Sequence, residues 1–199
     1  MRTFVLFSRK GVTTSNFSLN DLPGSGGRMD LICRCVNSAL WISCGLRRDT
    51  RIFLVLNGPS SPPATILFEG SSLRRVSPDE RNIASWIKKA LDCTGKNGDW
   101  VKVQEGIKVS KMSFQDVIKD LKEIYVLHER GRFIREVEIA KNPVFVLGDN
   151  IGLPRKEEKF AERFGAEKIS LGKTSYLASH CISMIHYEMD TREILLSSN

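Results

Sequence analysis

The sequence has no apolar run that approaches the roughly 18 to 20 residues a helix needs to cross a bilayer. The apolar stretch in its first residues, MRTFVLFSRKG, is also too short for a signal peptide. We therefore expect no membrane association and a cytoplasmic location. The composition, with 41% hydrophobic and 27% charged residues, is typical of a folded globular protein and not of a disordered one.

The cysteines and histidines lack the spacings of known disulfide and metal sites. Five cysteines are an odd number, and none form a CxxC pair, so neither a disulfide framework nor a zinc site is predicted. Cys33 and Cys35 lie two apart on a predicted helix, which directs their sulfur atoms to different sides. The three histidines form no HExxH motif. We expect reduced thiols and no bound metal.

The common nucleotide-binding and nucleophile motifs are also missing. The segment GKT at 172–174 resembles the end of a phosphate-binding P-loop, but the first glycine of that motif would fall on Glu167. The glycines of PGSGGRMD at 23–30 follow a polar loop instead of a strand, which disfavours a dinucleotide site and a nicotinamide oxidoreductase. Ser175 has no GxSxG elbow around it.

The charge balance is basic. Thirty lysines and arginines against 23 acidic residues give a formal net charge of +7. This excess favours a polyanionic partner such as a nucleic acid, although charge alone does not identify one.

Short apolar runs alternate with helical patterns along the whole chain. Runs without polar alternation suggest strands that are covered on both faces, and they occur at 4–7, 52–56, 124–127, 144–148 and 169–171. The segment at 64–70 adds a further strand or a hairpin. Helical patterns lie between them at 28–43, 77–92, 113–123 and 154–165, and another begins near Ser175. For the helix at 77–92, Ser77 is the predicted N-cap, followed by Pro78 and Glu80. The pattern predicts one α/β domain over 1–199, with a mostly parallel sheet and helices on both faces.

Two segments near the C-terminus carry a more specific signal. VFVLGDNIGLP and ISLGKTSYLASHC each end a strand on Leu-Gly, and the second leads directly into a helix. They resemble the last two motifs of the SPOUT class of RNA methyltransferases. The segments IYVLHERG at 124–131, RVSPDERNIASWI and GRMD extend the likeness, and in that order the whole chain resembles the archaeal tRNA pseudouridine-N1 methyltransferase family.

This resemblance implies a deep C-terminal trefoil knot and S-adenosylmethionine as cofactor. It divides the chain into a substrate-facing half, about 1–120, and a knotted cofactor-binding half, about 121–199. A methyl donor without phosphates needs an apolar slot and backbone hydrogen bonds for its adenine. The family pattern places eight residues around it: Leu127, Leu147, Gly148, Leu171, Gly172, Tyr176, Leu177 and Cys181. From spacing alone, Leu177, Cys181 and Ile185 would be an ordinary buried stripe.

The implied reaction is N1-methylation of pseudouridine at position 54 in the T-loop of tRNA, giving 1-methylpseudouridine. A carboxylate near the reacting nitrogen could accept its proton or orient the base, and Asp79 and Asp30 are the candidates. The alternative for Asp79 is helix capping. The predicted RNA contacts are Arg28, Arg74, Arg75 and Arg81, for which a solvated surface is the alternative. Arg47, Arg48 and Arg51 form a second predicted cluster, suited to outlying phosphate contacts.

By the same resemblance we expect a homodimer, in which Arg28, Asp30 and Asp79 reach the cofactor either within one subunit or across the interface. Two rival functions stay open. One is a pseudouridine-N1 methyltransferase acting on ribosomal RNA, which usually carries insertions that this chain has little room for. The other is a non-catalytic RNA-binding protein with the same fold.

Overall fold

The computed structural model describes residues 1–95 and 98–197. Its longer strands are β1 (Arg2–Ser8), β4 (Thr50–Leu56), β5 (Ala64–Glu69), β6 (Val101–Gln104), β7 (Ile107–Ser110), β8 (Ile124–Phe133), β9 (Val144–Gly148) and β10 (Glu167–Ser170). A small hairpin consists of β2 (Trp41–Ile42) and β3 (Gly45–Leu46). The helices are α1 (Met29–Leu40), α2 (Glu80–Asp92), α3 (Phe114–Lys119), α4 (Arg155–Arg163) and α5 (Ala178–Ser197). None of the helices in these ranges is both long enough and apolar enough to span a membrane.

The eight longer strands form one sheet in the order β10-β8-β9-β1-β4-β5-β7-β6. The pairs from β10 to β4 are parallel, and the pairs from β4 to β6 are antiparallel. The predicted α/β class is therefore confirmed. The segment at 64–70 was expected to form a further strand or a hairpin, and it forms β5, which pairs with β4 as an antiparallel hairpin. Only seven residues connect β4 to β5, too few for the crossover that a parallel pair requires. The β6–β7 hairpin was not predicted, because its strands alternate polar and apolar residues over only four positions each.

Helices cover both faces of the sheet, as predicted. One face packs against α1, α2 and α5 in a core that includes Phe4, Leu54 and Phe145. The other packs against α3 and α4 through a second cluster around Phe7 and Phe114. All seven residues of β1 are buried because this strand lies in the middle of the sheet. Burial of each large apolar side chain contributes about 1.5 to 3 kcal/mol, so the central strands provide much of the stability.

The start of α2 differs from the prediction. Asp79, not Ser77, is the N-cap: its Oδ1 accepts a hydrogen bond of 2.7 Å from the backbone N–H of Asn82. The Ser77 hydroxyl instead donates to Asp79 Oδ2 at 2.7 Å. The helix begins at Glu80, so Pro78 precedes the cap. Serine and aspartate cap helices about equally well, so the position of the first helical turn, and not the type of side chain, selects Asp79.

A buried polar cluster fixes α5 against the beginning of β1. Arg2, which is 3% exposed, donates hydrogen bonds to Asp190 at 2.5 Å, to Glu193 at 2.8 Å and to Nδ1 of His186 at 3.1 Å. Because arginine can only donate, Nδ1 of His186 must accept. The ring proton therefore lies on Nε2 and bonds to the Ala39 carbonyl at 3.0 Å. This neutral imidazole connects β1, α1 and α5.

The same cluster predicts acid sensitivity. Burial, together with the nearby charges of Arg47 and Arg2, lowers the pKa of His186 from 6.5 to about 4. Between these values the unfolded chain binds a proton that the folded chain does not, so stability falls as the pH falls through this window. We expect His186 to reduce the free energy of unfolding by about 2 kcal/mol between pH 7.5 and pH 5.

Urea unfolding at these two pH values measures the effect, and His186→Gln is the matched variant, since glutamine can still accept from Arg2 or donate to Ala39 but does not titrate. The other two histidines remain in both proteins. The variant should lose less stability on acidification than the parent. Equal losses would contradict the assignment of a neutral, buried His186.

Candidate active site

A cavity with a volume of about 470 Å³ lies at an interruption of β8 after Val126, where β9 and β10 end and α5 begins. The carboxyl ends of parallel strands are where open α/β sheets usually bind ligands, and the volume is in the usual range for small-molecule pockets. All eight residues that the family pattern places around the cofactor line this cavity: Leu127, Leu147, Gly148, Leu171, Gly172, Tyr176, Leu177 and Cys181.

Leucines form much of the apolar wall of the cavity. Leu127 and Leu147 lie on β8 and β9, Leu171 directly follows β10, these three strands are neighbours in the sheet, and Leu31 enters from α1. Leu31 was missed by sequence reasoning because it lies among other apolar residues of a helix, where core packing is the default. Together these side chains form an apolar slot that could hold a flat ring.

An interruption of β8 contributes residues to the cavity. The register between β8 and β10 jumps between Lys168 and Ile169, whose partners on β8 are Val126 and Arg132. The residues of β8 between these partners leave the ladder, and three of them, Leu127, His128 and Glu129, line the cavity. His128 and Glu129 were not predicted. The apolar run ends at Leu127, and no pattern in the residues after it indicates that the strand resumes at Arg132.

Asp149 organises the loop that follows β9. This carboxylate is 7% exposed and accepts hydrogen bonds from the Ser8 hydroxyl, the Arg9 N–H and the Ile151 N–H, each at 2.9 Å. It thereby joins the loop after β9 to the loop after β1. Gly148 precedes it, and a Cβ there would lie 2.2 Å from the backbone of the same loop, so no other residue fits without movement. The loop supplies cavity-lining residues that sequence reasoning had not assigned: Asp149, Asn150, Ile151, Gly152 and Leu153.

The loop after β10 is held at both ends. The Gly172 N–H donates to the Ser170 hydroxyl at 3.0 Å, and the Ser175 hydroxyl donates to Glu129 at 2.7 Å. Gly172 has φ +118°, which other residues rarely adopt, and a Cβ on it would meet no atom within 4 Å. The space beside it is therefore open. Ser175, which is not part of a GxSxG motif, therefore has a structural role in this loop. Thr174, Ser175 and Ala178 also line the cavity.

The helix after this loop begins at Ala178, later than the expected start near Ser175. Tyr176 and Leu177 therefore precede the helix, and their side chains are 46% and 51% exposed at the cavity rim. The alternative of a buried stripe fits Cys181 and Ile185 but not Leu177. Burial raises the pKa of Cys181, so its thiol is protonated and serves as a small apolar contact.

The predicted acid Asp30 lies on α1 beside Leu31 and is held by two arginines. Arg28 donates to both of its carboxylate oxygens, at 3.0 and 3.1 Å, and Arg34 donates as well. Burial alone would raise the pKa of Asp30, but the hydrogen bonds and charges of Arg28 and Arg34 outweigh it and lower the pKa. Asp30 is therefore ionised, and its oxygens are already engaged.

Asp79 is exposed and does not line the cavity of its own chain. Its hydrogen bonds with Asn82 and Ser77 lower its pKa, so it too is ionised at neutral pH. The capping alternative is thus its observed structural role. Arg34 connects Asp30 to the start of α2, because its Nε lies 3.7 Å from Glu80, the residue after Asp79.

The four arginines predicted to contact RNA differ in whether they are already bonded to a carboxylate. Arg28 is engaged with Asp30, whereas Arg74, Arg75 and Arg81 are exposed and have no ion pair within the described ranges. The arginines of the second predicted cluster make separate contacts. Arg47 pairs with Asp190, Arg48 donates to the Gly70 carbonyl at 3.0 Å, and Arg51 lies over the ring of Phe53. Their role as outlying phosphate contacts stays a prediction.

No group of three or more histidine, cysteine, aspartate or glutamate side chains in the described part of the chain could hold a metal ion. Burial raises the pKa of both Cys33 and Cys35, and neither lines the cavity. The site thus offers apolar walls, main-chain groups and the carboxylates of Glu129 and Asp149.

Comparison with known proteins gives consistent results. A family model described as SAM-dependent RNA methyltransferase matches residues 1–194. The tRNA (pseudouridine(54)-N(1))-methyltransferase of Methanocella arvoryzae is 47% identical over 192 residues, covering 96% of this chain and all of that protein. Proteins of the same name from Thermococcus kodakarensis and Methanocaldococcus jannaschii are 45% and 42% identical, covering 96% and 98% of this chain and 99% and 98% of their own lengths.

Among solved structures, Archaeoglobus fulgidus Nep1 bound to S-adenosylhomocysteine superposes with a TM-score of 0.66 at 13% identity, covering 94% of this chain and 95% of that one. This likeness confirms the predicted SPOUT-type α/β fold. With the family model matched along nearly the whole length, and with full-length relatives well above 30% identity, the chain belongs to the family of SAM-dependent RNA methyltransferases.

Proposed function

We propose that this protein transfers a methyl group from S-adenosylmethionine to N1 of pseudouridine 54 in the T-loop of tRNA. The observation that carries the proposal is the cavity at the interruption of β8 and the ends of β9 and β10, lined by all eight residues of the family pattern. The names of the full-length relatives support the choice of substrate. A tRNA substrate also supports a cytoplasmic location.

The cavity suits the cofactor. Leu127, Leu147 and Leu171 would hold its apolar surface, and main-chain groups of the loops after β9 and β10 would bond its adenine. The open space beside Gly172 leaves room for a bent ligand. When bound, S-adenosylmethionine supplies an electrophilic methyl group on a sulfonium sulfur. The chain itself must exclude water, align the target nitrogen with that methyl group and receive the proton from N1.

We assign the proton-accepting role to Asp79. Both acids are ionised, and the oxygens of both accept hydrogen bonds. Asp30 is buried and bonded to the charged groups of Arg28 and Arg34, whereas Asp79 is exposed, is bonded only to the neutral donors Ser77 and Asn82, and keeps lone pairs that can face the substrate. Asp30 would then position Arg28 for the RNA backbone. Arg74, Arg75 and Arg81 are exposed and available for phosphates. In this assignment the half at about 1–120 faces the substrate and the half at about 121–199 holds the cofactor.

We also propose a homodimer in which Asp79 acts on the cavity of the partner subunit. Two observations support it: Asp79 does not line the cavity of its own chain, and the rim of that cavity carries exposed apolar residues. Tyr176 and Leu177 are about half exposed, and Tyr187 on the outer side of α5 is 67% exposed. A second copy of the chain would cover this apolar surface and bring its own Asp79 near.

Mass mapping tests the function directly. The protein is incubated with labelled S-adenosylmethionine and with tRNA or ribosomal RNA that contains pseudouridine, and the digested nucleosides are identified. The proposal predicts 1-methylpseudouridine at position 54 of tRNA. Label in ribosomal RNA alone, or in neither RNA, would overturn it.

Gly172→Val should weaken cofactor binding at least tenfold, because the side chain would fill the open space of the cavity. Valine is also strained at positive φ, so the matched control is Gly165→Val, where φ is +82° and the space is equally open but outside the cavity. Calorimetry with S-adenosylhomocysteine measures the affinity. If Gly172→Val bound as well as Gly165→Val, the cavity would not be the cofactor site.

Asp79→Asn separates chemistry from capping, since asparagine caps a helix about as well as aspartate but cannot take the proton. We expect methylation to fall by 10²-fold or more while the melting temperature and cofactor affinity stay near those of the parent. Asp116→Asn, which changes an acid in the capping box of α3, is the control and should keep full activity. Methylation by Asp79→Asn at the parent rate would refute the assignment.

Light scattering tests the dimer and should give twice the 22.4 kDa mass of one chain. Tyr187→Glu places a charge on the proposed interface and should shift the mass toward that of the monomer. Ile42→Glu, at a residue that is 48% exposed on the β2–β3 hairpin, is the control. A monomeric parent, or a Tyr187→Glu variant as dimeric as the control, would contradict the proposal.

A further inference from the structure

A second cavity, with a volume of about 370 Å³, lies far along the sheet from the first. It opens on the face covered by α3 and α4, beyond the end of α3, where β4, β5, β7 and β6 lie side by side. Its lining combines aromatic, apolar and charged side chains: Arg51, Phe53, Leu67, Glu69, Trp100, Lys102, Lys108, Met112, Val117, Asp120 and Leu121. No step of the proposed methyl transfer uses it.

The aromatic part of this cavity consists of Phe53 and Trp100. Their ring centroids are 6.0 Å apart, with an angle of 52° between the planes. Phe53 is 6% exposed and forms the floor, whereas Trp100 is 36% exposed and presents part of its ring to the cavity. A partly exposed indole above an apolar floor suits a flat ring that stacks on it.

Arg51 is the unusual charge in the cavity. Its Nε donates to the Thr3 hydroxyl at 3.1 Å, and its guanidinium lies 5.3 Å from the centre of the Phe53 ring. Within residues 1–95 and 98–197 it has no ion pair, because the nearby carboxylate of Glu69 pairs with Lys108 at 3.0 Å. Burial lowers the pKa of Arg51, although the charge of Glu69 partly opposes this effect. A partly desolvated cation that has no anionic partner in the protein is stabilised by a bound anion.

The remaining charges indicate the kind of anion. Lys108 pairs with Glu69 at 3.0 Å and Lys102 pairs with Glu105, so Arg51 is the lining cation that has no carboxylate partner among the described residues. One such cation suits a single phosphodiester better than a polyphosphate. The carboxylates that line the cavity are Glu69 and Asp120. The carboxylates can accept hydrogen bonds from a sugar hydroxyl or a base amino group. A flat ring, a sugar and one phosphate together make a nucleotide.

We propose that this cavity is an accessory RNA site that holds one unpaired nucleotide of the tRNA substrate, with its base against Trp100 and its phosphate on Arg51. The proposal rests on the proposed function for its choice of RNA. A nucleotide within a duplex is stacked on both faces and could not enter, so the site reads a looped or single-stranded position. It would increase affinity for the whole tRNA without contacting the reacting base.

The test is binding of full-length tRNA in the presence of S-adenosylhomocysteine, measured by fluorescence anisotropy over a range of salt concentrations. Trp100→Ala should raise the Kd about tenfold through loss of stacking. Trp100→Phe should keep most of the affinity. Arg51→Gln should weaken binding and lower the slope of log K against log salt by about one phosphate contact. Cofactor affinity and the methylation rate at saturating tRNA should not change.

Arg163→Gln is the matched control, since it removes one arginine from the surface of α4 outside both cavities. tRNA binding by both Arg51→Gln and Trp100→Ala that equals the control would overturn the accessory site. Micromolar binding of uridine 5′-monophosphate, lost in Arg51→Gln while tRNA binding persists, would also overturn it in favour of a free-nucleotide site. A parent that binds tRNA without methylating it would refute the proposed function instead, because this assay requires no methyl transfer.

Discussion

Parallel pairing of β9 with both β1 and β8 brings the ends of β1 and β9 and the interruption of β8 to one edge of the sheet. The loops that leave this edge can then be joined by short hydrogen bonds, and the buried carboxylate of Asp149 joins two of them. Gly148 permits the turn, because any side chain there would meet the backbone that follows. Without this pairing the eight cavity residues of the family pattern, which span 127–181, would not meet.

The charged residues divide into two groups with different duties. Arg2, Arg47 and Asp190 are used in the interior contact that fixes α5, and this contact makes the fold sensitive to acid. Arg74, Arg75 and Arg81 stay exposed and keep their charges available for a polyanion. The excess of lysine and arginine over acidic residues therefore does not correspond to a single binding surface. Part of it stabilises the structure, and part is free to bind.

Much of the fold could be predicted from local patterns. Uninterrupted apolar runs predicted β1, β4 and β9, and the α/β class followed from their alternation with helices. The β6–β7 hairpin and the resumption of β8 after Val126 could not be predicted, since both depend on pairing with strands distant in sequence. Asp79 shows a similar limit: the sequence gives a carboxylate, a serine and a proline near a helix start, but only the folded geometry selects the cap.

The candidate site was predicted mainly through resemblance and only partly through chemistry. The strand ends at Leu147 and Leu171 marked the edge of the sheet, whereas Leu31 and His128 reach the cavity through tertiary packing alone. Roles for Asp30 and Asp79 depend on which neighbours already engage their oxygens, and spacing does not contain this information.

Hydrogen exchange with and without S-adenosylhomocysteine tests the central claim that the interruption of β8 and the ends of β9 and β10 form the cofactor site. The account predicts slower exchange of backbone amides in 127–129, 148–153 and 171–178, with little change around Trp100 and Lys108. Protection centred on the second cavity, or none in the three loops at saturating ligand, would contradict it.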